Sequence, residues 1–112
     1  MNGTNGCGGK LRPEVERFAW AMEMKLRKND HKGHWSGCTN AYLLRRLVGE
    51  TEELRLAMLG PDGQKSLTVA EAEYIIREAA DVANFAMMIA DNARREFALW
   101  PEDVGLAAEA GK

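Results

Sequence analysis

Cysteine, proline and aromatic residues are all scarce in this 112-residue chain, and each scarcity excludes something. The 2 cysteines, Cys7 and Cys38, cannot make a disulfide framework, so the fold must be held by burial of apolar surface. The 3 prolines, Pro13, Pro61 and Pro101, leave long stretches free of helix breakers. The longest apolar runs fall well short of the roughly 20 residues that a helix needs to cross a bilayer. No β-branched alternating run and no βαβ rhythm occurs, which argues against a sheet. Charge of one sign is lacking too. The 15 basic and 17 acidic residues leave a net charge of −2, so there is no basis for a sequence-independent grip on nucleic acid. With no apolar segment after Met1, the expected compartment is the cytoplasm, with reduced thiols and no membrane attachment.

What is present is helical periodicity. Residues 1–10 are rich in Gly and Asn and predict a disordered tail ahead of one helical domain over 11–112. Pro13 suits the first position of a helix. Val15, Phe18, Ala19, Met22 and Leu26 then follow at 3–4 spacing, giving a first helix over Pro13–Asn29 with Lys25, Arg27 and Lys28 in its last turns. Residues 30–39 (DHKGHWSGCT) break the pattern and bring His31, Lys32, His34 and Trp35 together in a loop. A second helix is expected over Asn40–Leu59, with Leu43, Leu44, Leu47, Leu54 and Met58 as its stripe, ended by Gly60-Pro61-Asp62-Gly63. Thr68-Val-Ala-Glu71 reads as a capping box opening a third helix that runs to about Phe97 or Leu99. Its segment 79–90 (AADVANFAMMIA) is almost wholly apolar, which predicts burial on most sides and a partner subunit to supply it. A short terminal helix after Pro101 would carry Val104 and Leu106. The fold expected is all-α: an antiparallel bundle of three main helices plus a short C-terminal one, completed by oligomerisation.

Four carboxylates stand in the wrong place for solvated charge. Glu50 and Glu53 on the second helix, and Glu78 and Asp81 on the third, form two i, i+3 pairs within apolar registers. Charge on a buried stripe is costly unless it is paired or bound to a cation. The 24 residues of 54–77 let the second helix finish and the chain return, so that the pairs can converge. An all-oxygen donor set suits Mg²⁺, with Mn²⁺ as a substitute. No histidine falls on either helix at a ligating spacing, which argues against oxygen-activating di-iron chemistry. A single ExxE is most often just a solvated helix face. Two pairs in register on separate helices are a stronger signal.

Glu50-x-x-Glu53 followed by Glu78-x-x-Asp81 resembles the signature of the MazG-like all-α nucleoside-triphosphate pyrophosphohydrolases. LVGETEEL and IIREAADVANFAMMIAD are similar to that family's two metal-bearing helices, and the likeness spans about residues 13–97. It implies Mg²⁺-dependent hydrolysis of a (d)NTP to the monophosphate and pyrophosphate, as in nucleotide-pool house-cleaning. It implies metal ligation by Glu50, Glu53, Glu78 and Asp81, with Glu50 and Glu53 also catalytic, and a homodimer or homotetramer. Lys32 and Trp35 in the loop, Asn84 one turn after Asp81, and Arg94 are the substrate-binding candidates. For Asn84 the alternative is an amide bonded inside the bundle, and for Arg94 a solvated helix end. The run Val-Ala-Asn-Phe after Asp81 departs from the Leu-Tyr-His of phosphoribosyl-ATP pyrophosphohydrolases. That activity, and a non-enzymatic module binding metal, nucleotide or a protein partner, are the competing readings.

Overall fold

A computed structural model describes residues 10–59 and 68–99. It is helical throughout, with no strand among the described residues. Three α-helices carry the fold: α1 (Pro13–Lys28), α2 (Asn40–Leu59) and α3 (Val69–Phe97). Two short 3₁₀ turns, Asp30–Lys32 and Trp35–Gly37, join α1 to α2. Residues 1–9 of the expected disordered tail, the turn expected after Leu59 and the helix expected after Pro101 lie outside the described residues.

Local chemistry accounts for each boundary. Pro13 opens α1, with Glu14 and Glu16 in its first turn and Lys25, Arg27 and Lys28 in its last, so both ends complement the helix dipole. α1 stops one residue earlier than the pattern predicts, because Asn29 serves as its cap: the Asn29 N–H donates to the Leu26 carbonyl. Gly33, at φ 90°, makes the bend between the two 3₁₀ turns, a conformation open to glycine at little cost. Thr39 caps α2, its Oγ1 accepting from the Tyr42 N–H at 3.1 Å. The expected capping box at α3 is present in both directions between Thr68 and Glu71.

α3 is the central element and packs on both other helices, most extensively on α2. Both pairings are antiparallel. Asn40 meets Asn92 while Glu50 meets Glu78 and Asp81; Met22 meets Asn84 while Lys25 meets Asp81.

Burial differs from the sequence expectation. The fully buried positions among the described residues are Leu43, Ala80 and Asn84. The 79–90 segment is half-buried over most of its length, with Ala86 and Ala90 exposed. Val15, Leu44 and Met58, predicted to face the core, are 48%, 53% and 60% exposed. The cause is geometric: α1 and α2 each lean on α3, so their outer flanks have no neighbour among the described residues.

Candidate metal centre and adjoining cleft

The antiparallel register of α2 and α3 brings three of the four predicted carboxylates together. Glu50, Glu78 and Asp81 each offer an oxygen, and the three oxygens lie within 4.8 Å of one another. All three residues are half-buried. Glu53 does not join them. It is exposed, one turn further along α2, and reaches the site only through the repulsion that its charge exerts on Glu78. The 100° step between helical residues accounts for this: at i+3 from Glu50, Glu53 is rotated by about 60° away from α3.

The trio is short of positive charge. Burial pushes the Glu78 carboxyl above its ordinary range, and repulsion from Asp81, Glu50 and Glu53 pushes it the same way, against a smaller opposing pull from Lys25. Two cations stand at the rim. Lys25 Nζ on α1 is 3.3 Å from Asp81 Oδ2, and the Arg46 guanidinium is 3.6 Å from Glu50 Oε2. Arg46 also donates to Tyr42 Oη at 3.1 Å and lies 4.9 Å from the centre of the Phe85 ring. The Tyr42 bond is the chief reason that its guanidinium is raised above an already high pKa. Neither residue was selected as a site residue from the sequence, although both carried a signal. Lys25 falls three residues after Met22 on the apolar line of α1, and Arg46 stands one turn before Glu50.

The donor set fits a hard divalent ion. Mg²⁺ takes oxygens at about 2.0–2.1 Å, so the three carboxylate oxygens, within 4.8 Å of one another, would have to draw together to hold it. Three carboxylates also leave coordination positions for water or phosphate oxygens, as Mg²⁺ prefers.

From Glu50 and Asp81 a cleft of about 340 Å³ runs between α1, α2, α3 and the loop. Glu50, Asp81, Lys25 and Arg46 line one part of it, and Lys32, His34 and Trp35 line another. Trp35 stacks on His34 with ring centres 4.0 Å apart and planes inclined by 28°. Its indole N–H donates to Asp91 Oδ2 at 2.9 Å. His34 Nδ1 accepts from the Ser36 N–H at 3.0 Å, which leaves Nε2 as the ring nitrogen facing outward.

The remaining substrate candidates fall elsewhere. Asn84 is buried between α1 and α3, its Nδ2 donating to the Met22 carbonyl at 3.1 Å, so the bundle-bonded alternative describes that end of the amide. Its Oδ1 is buried without a hydrogen-bond partner. Such an acceptor costs about 1–3 kcal/mol, which a water or ligand proton would relieve. Arg94 does not line the cleft; its Nε donates to Asp91 Oδ1 at 3.0 Å, on the side of α3 that holds the loop. No family model, curated protein or solved structure matches the chain.

Proposed function

We propose that the chain is a Mg²⁺-dependent nucleoside-triphosphate pyrophosphohydrolase, converting a (d)NTP and water to the (d)NMP and pyrophosphate, with Mn²⁺ able to replace Mg²⁺. The observation that carries the reading is one cleft in which Glu50 and Asp81, two members of the carboxylate trio, share a cavity with cationic side chains and a stacked aromatic pair. A triphosphate needs a divalent cation and further positive charge, while a base needs an aromatic face. The sequence resemblance to the MazG-like enzymes points the same way.

In this reading Glu50, Glu78 and Asp81 hold the ion. When bound, Mg²⁺ would polarise phosphate oxygens and lower the pKa of coordinated water. Lys25 and Arg46 sit where they can neutralise phosphate charge, and Lys32 extends that charge toward the loop. Glu53, left outside the trio, would take the proton from the attacking water as one phosphoanhydride bond breaks and pyrophosphate leaves. Trp35 and His34 offer a surface for the base.

The test is direct. The protein is incubated with Mg²⁺ and each standard ribo- and deoxyribonucleoside triphosphate, together with phosphoribosyl-ATP, and pyrophosphate is measured. Release from at least one (d)NTP is expected. Silence across the panel, with Mn²⁺ as well, would sink the enzyme reading.

A second observation bears on assembly. Leu44, Val48, Leu56 and Met58 on α2, with Val15, Trp20 and Met24 on α1, are large apolar side chains exposed in one chain. Exposed apolar surface on this scale commonly marks an interface. A homodimer or homotetramer is therefore part of the proposal. Light scattering should return two or four times the chain mass of 12.4 kDa, and the monomer mass would contradict it. The same surface favours the competing interaction-module reading if the nucleotide panel is silent.

A further inference from the structure

The last turns of α3 hold a hydrogen-bonded latch that the carboxylate motif does not include. Asp91 accepts from the Trp35 indole N–H at 2.9 Å and is itself gripped by Arg94 and Arg95 of its own helix. Asn92 points its Nδ2 at three acceptors of the neighbouring segment: the Trp35 carbonyl at 3.3 Å, the Cys38 carbonyl at 3.4 Å and Asn40 Oδ1 at 3.4 Å. Arg95 donates to Asn92 Oδ1 from the other side. Three acceptors around the nitrogen and one donor at the oxygen leave a single sensible amide orientation. Two adjacent side chains thus hold the indole, both ends of the Trp35–Cys38 segment and the first residue of α2.

This segment has little else to hold it. Most of residues 29–37 are exposed, and no atom packs where a side chain at Gly33 would stand. Among the described residues the His34 side chain has no hydrogen bond beyond the Ser36 N–H and its ring stacks on Trp35, so it follows wherever Trp35 is placed. Fixing one indole N–H therefore fixes a two-ring stack that lines the cleft. The latch is also remote from the carboxylates. Asp91 lies ten residues beyond Asp81 on one continuous helix, about 15 Å along its axis.

We propose that Asp91 and Asn92 are positioning residues of the cleft, holding Trp35 and His34 in the orientation that receives the base of the nucleotide. The inference rests on the nucleotide-hydrolase reading and assigns the base side of that site to a latch outside the metal motif. Its physical content is preorganisation. A wall that samples other positions binds with an affinity reduced by the fraction of time it is competent. Loss of a charged hydrogen bond makes about a tenfold loss the natural scale. Chemistry at the phosphate, set by Glu50, Glu78 and Asp81, should continue once the nucleotide is bound.

The test compares Asp91→Leu, Asp91→Asn, Trp35→Phe and the double variant Asp91→Leu/Trp35→Phe. Steady-state pyrophosphate release is measured with Mg²⁺ and the panel nucleotide that the wild-type protein turns over fastest. In parallel, the indole N–H resonance of Trp35 is followed by ¹H–¹⁵N NMR, assigned through its loss in Trp35→Phe. Asp91→Leu should raise KM about tenfold with kcat within about twofold, and should shift or broaden the indole resonance. Asp91→Asn, which keeps an acceptor, should recover most of the loss. Trp35→Phe keeps an aromatic face, though a smaller one, but not the N–H, and should match Asp91→Leu, with no further loss in the double variant. An unchanged KM in Asp91→Leu, or a fall in kcat alone, overturns the latch while leaving the nucleotide reading intact. Absence of turnover by the wild-type protein overturns both.

Discussion

Asp81→Asn and Glu50→Gln should each lower kcat/KM for pyrophosphate release by about a hundredfold or more, the scale seen when a fixed electrostatic partner of a reacting group is lost. Both substitutions keep shape and remove charge. Each takes one anionic oxygen from a trio whose members lie within 4.8 Å of one another, so each weakens the hold on a divalent ion directly. The fold should survive both, because neither residue is fully buried and each partner left behind, Lys25 or Arg46, has access to solvent. Calorimetry with Mg²⁺ should show binding weakened in parallel with turnover. Glu53→Gln should behave differently. From its exposed position outside the trio it should lower kcat while leaving Mg²⁺ binding closer to that of the wild type. Glu52→Gln is the control: Glu52 is exposed, pairs with Arg55 on its own helix and belongs to neither the trio nor the cleft. Full activity in Asp81→Asn, with Mg²⁺ binding intact, would remove the trio from the mechanism.

The helices and the meeting of Glu50 with Glu78 and Asp81 were legible in the sequence because period and spacing are local properties that the backbone turns into faces. Pro13, the Thr68–Glu71 capping box and the 3–4 spacing of apolar residues set the elements to within a residue of their bounds. Other features depended on tertiary placement. Spacing put Glu53 beside Glu50 on α2 but could not say which of the two the axis of α3 would approach. Lys25 read as a helix-end charge until α1 crossed α3 at Asp81. Arg94 read as a phosphate ligand, yet Asp91 holds it on the side of α3 facing the loop. Leu44 and Met58 fit the apolar stripe of α2, but the described residues offer no neighbour for that flank.

Without metal, the protein should lose stability as the pH rises from 4.5 through the folded-state value of Glu78, and Mg²⁺ should restore it. The sign follows from Glu78. Its folded-state carboxyl is pushed above the ordinary value of 4.5, first by burial and then by repulsion from Asp81, Glu50 and Glu53, with Lys25 opposing. The folded chain therefore holds this proton more tightly than the unfolded chain. A group raised in this way costs nothing below its unfolded value. Its penalty grows as the pH climbs from 4.5 through the folded value, and is complete above it. The charged groups facing it are Lys25 on α1, Glu50 and Glu53 on α2, and Asp81 on α3. Asp91 works in the opposite direction and in a different window. The Trp35 hydrogen bond, followed by Arg94 and Arg95, holds its carboxyl below the ordinary 3.8, so its contribution is present above that value and is lost as the pH falls through the folded one. Thermal melts at fixed protein concentration should thus show an acid limb from Asp91 and a separate decline on the neutral side. Glu78→Gln should flatten the neutral decline and leave the acid limb unchanged. A divalent ion would bind the ionised trio, so its effect should grow with pH. At about ten times its Kd, Mg²⁺ adds about 1.4 kcal/mol, or about 5–10 °C in Tm for a domain of this size. A neutral-side decline that persists in Glu78→Gln, or a Tm unmoved by Mg²⁺ at pH 8, would show that this cluster is not where proton and metal compete.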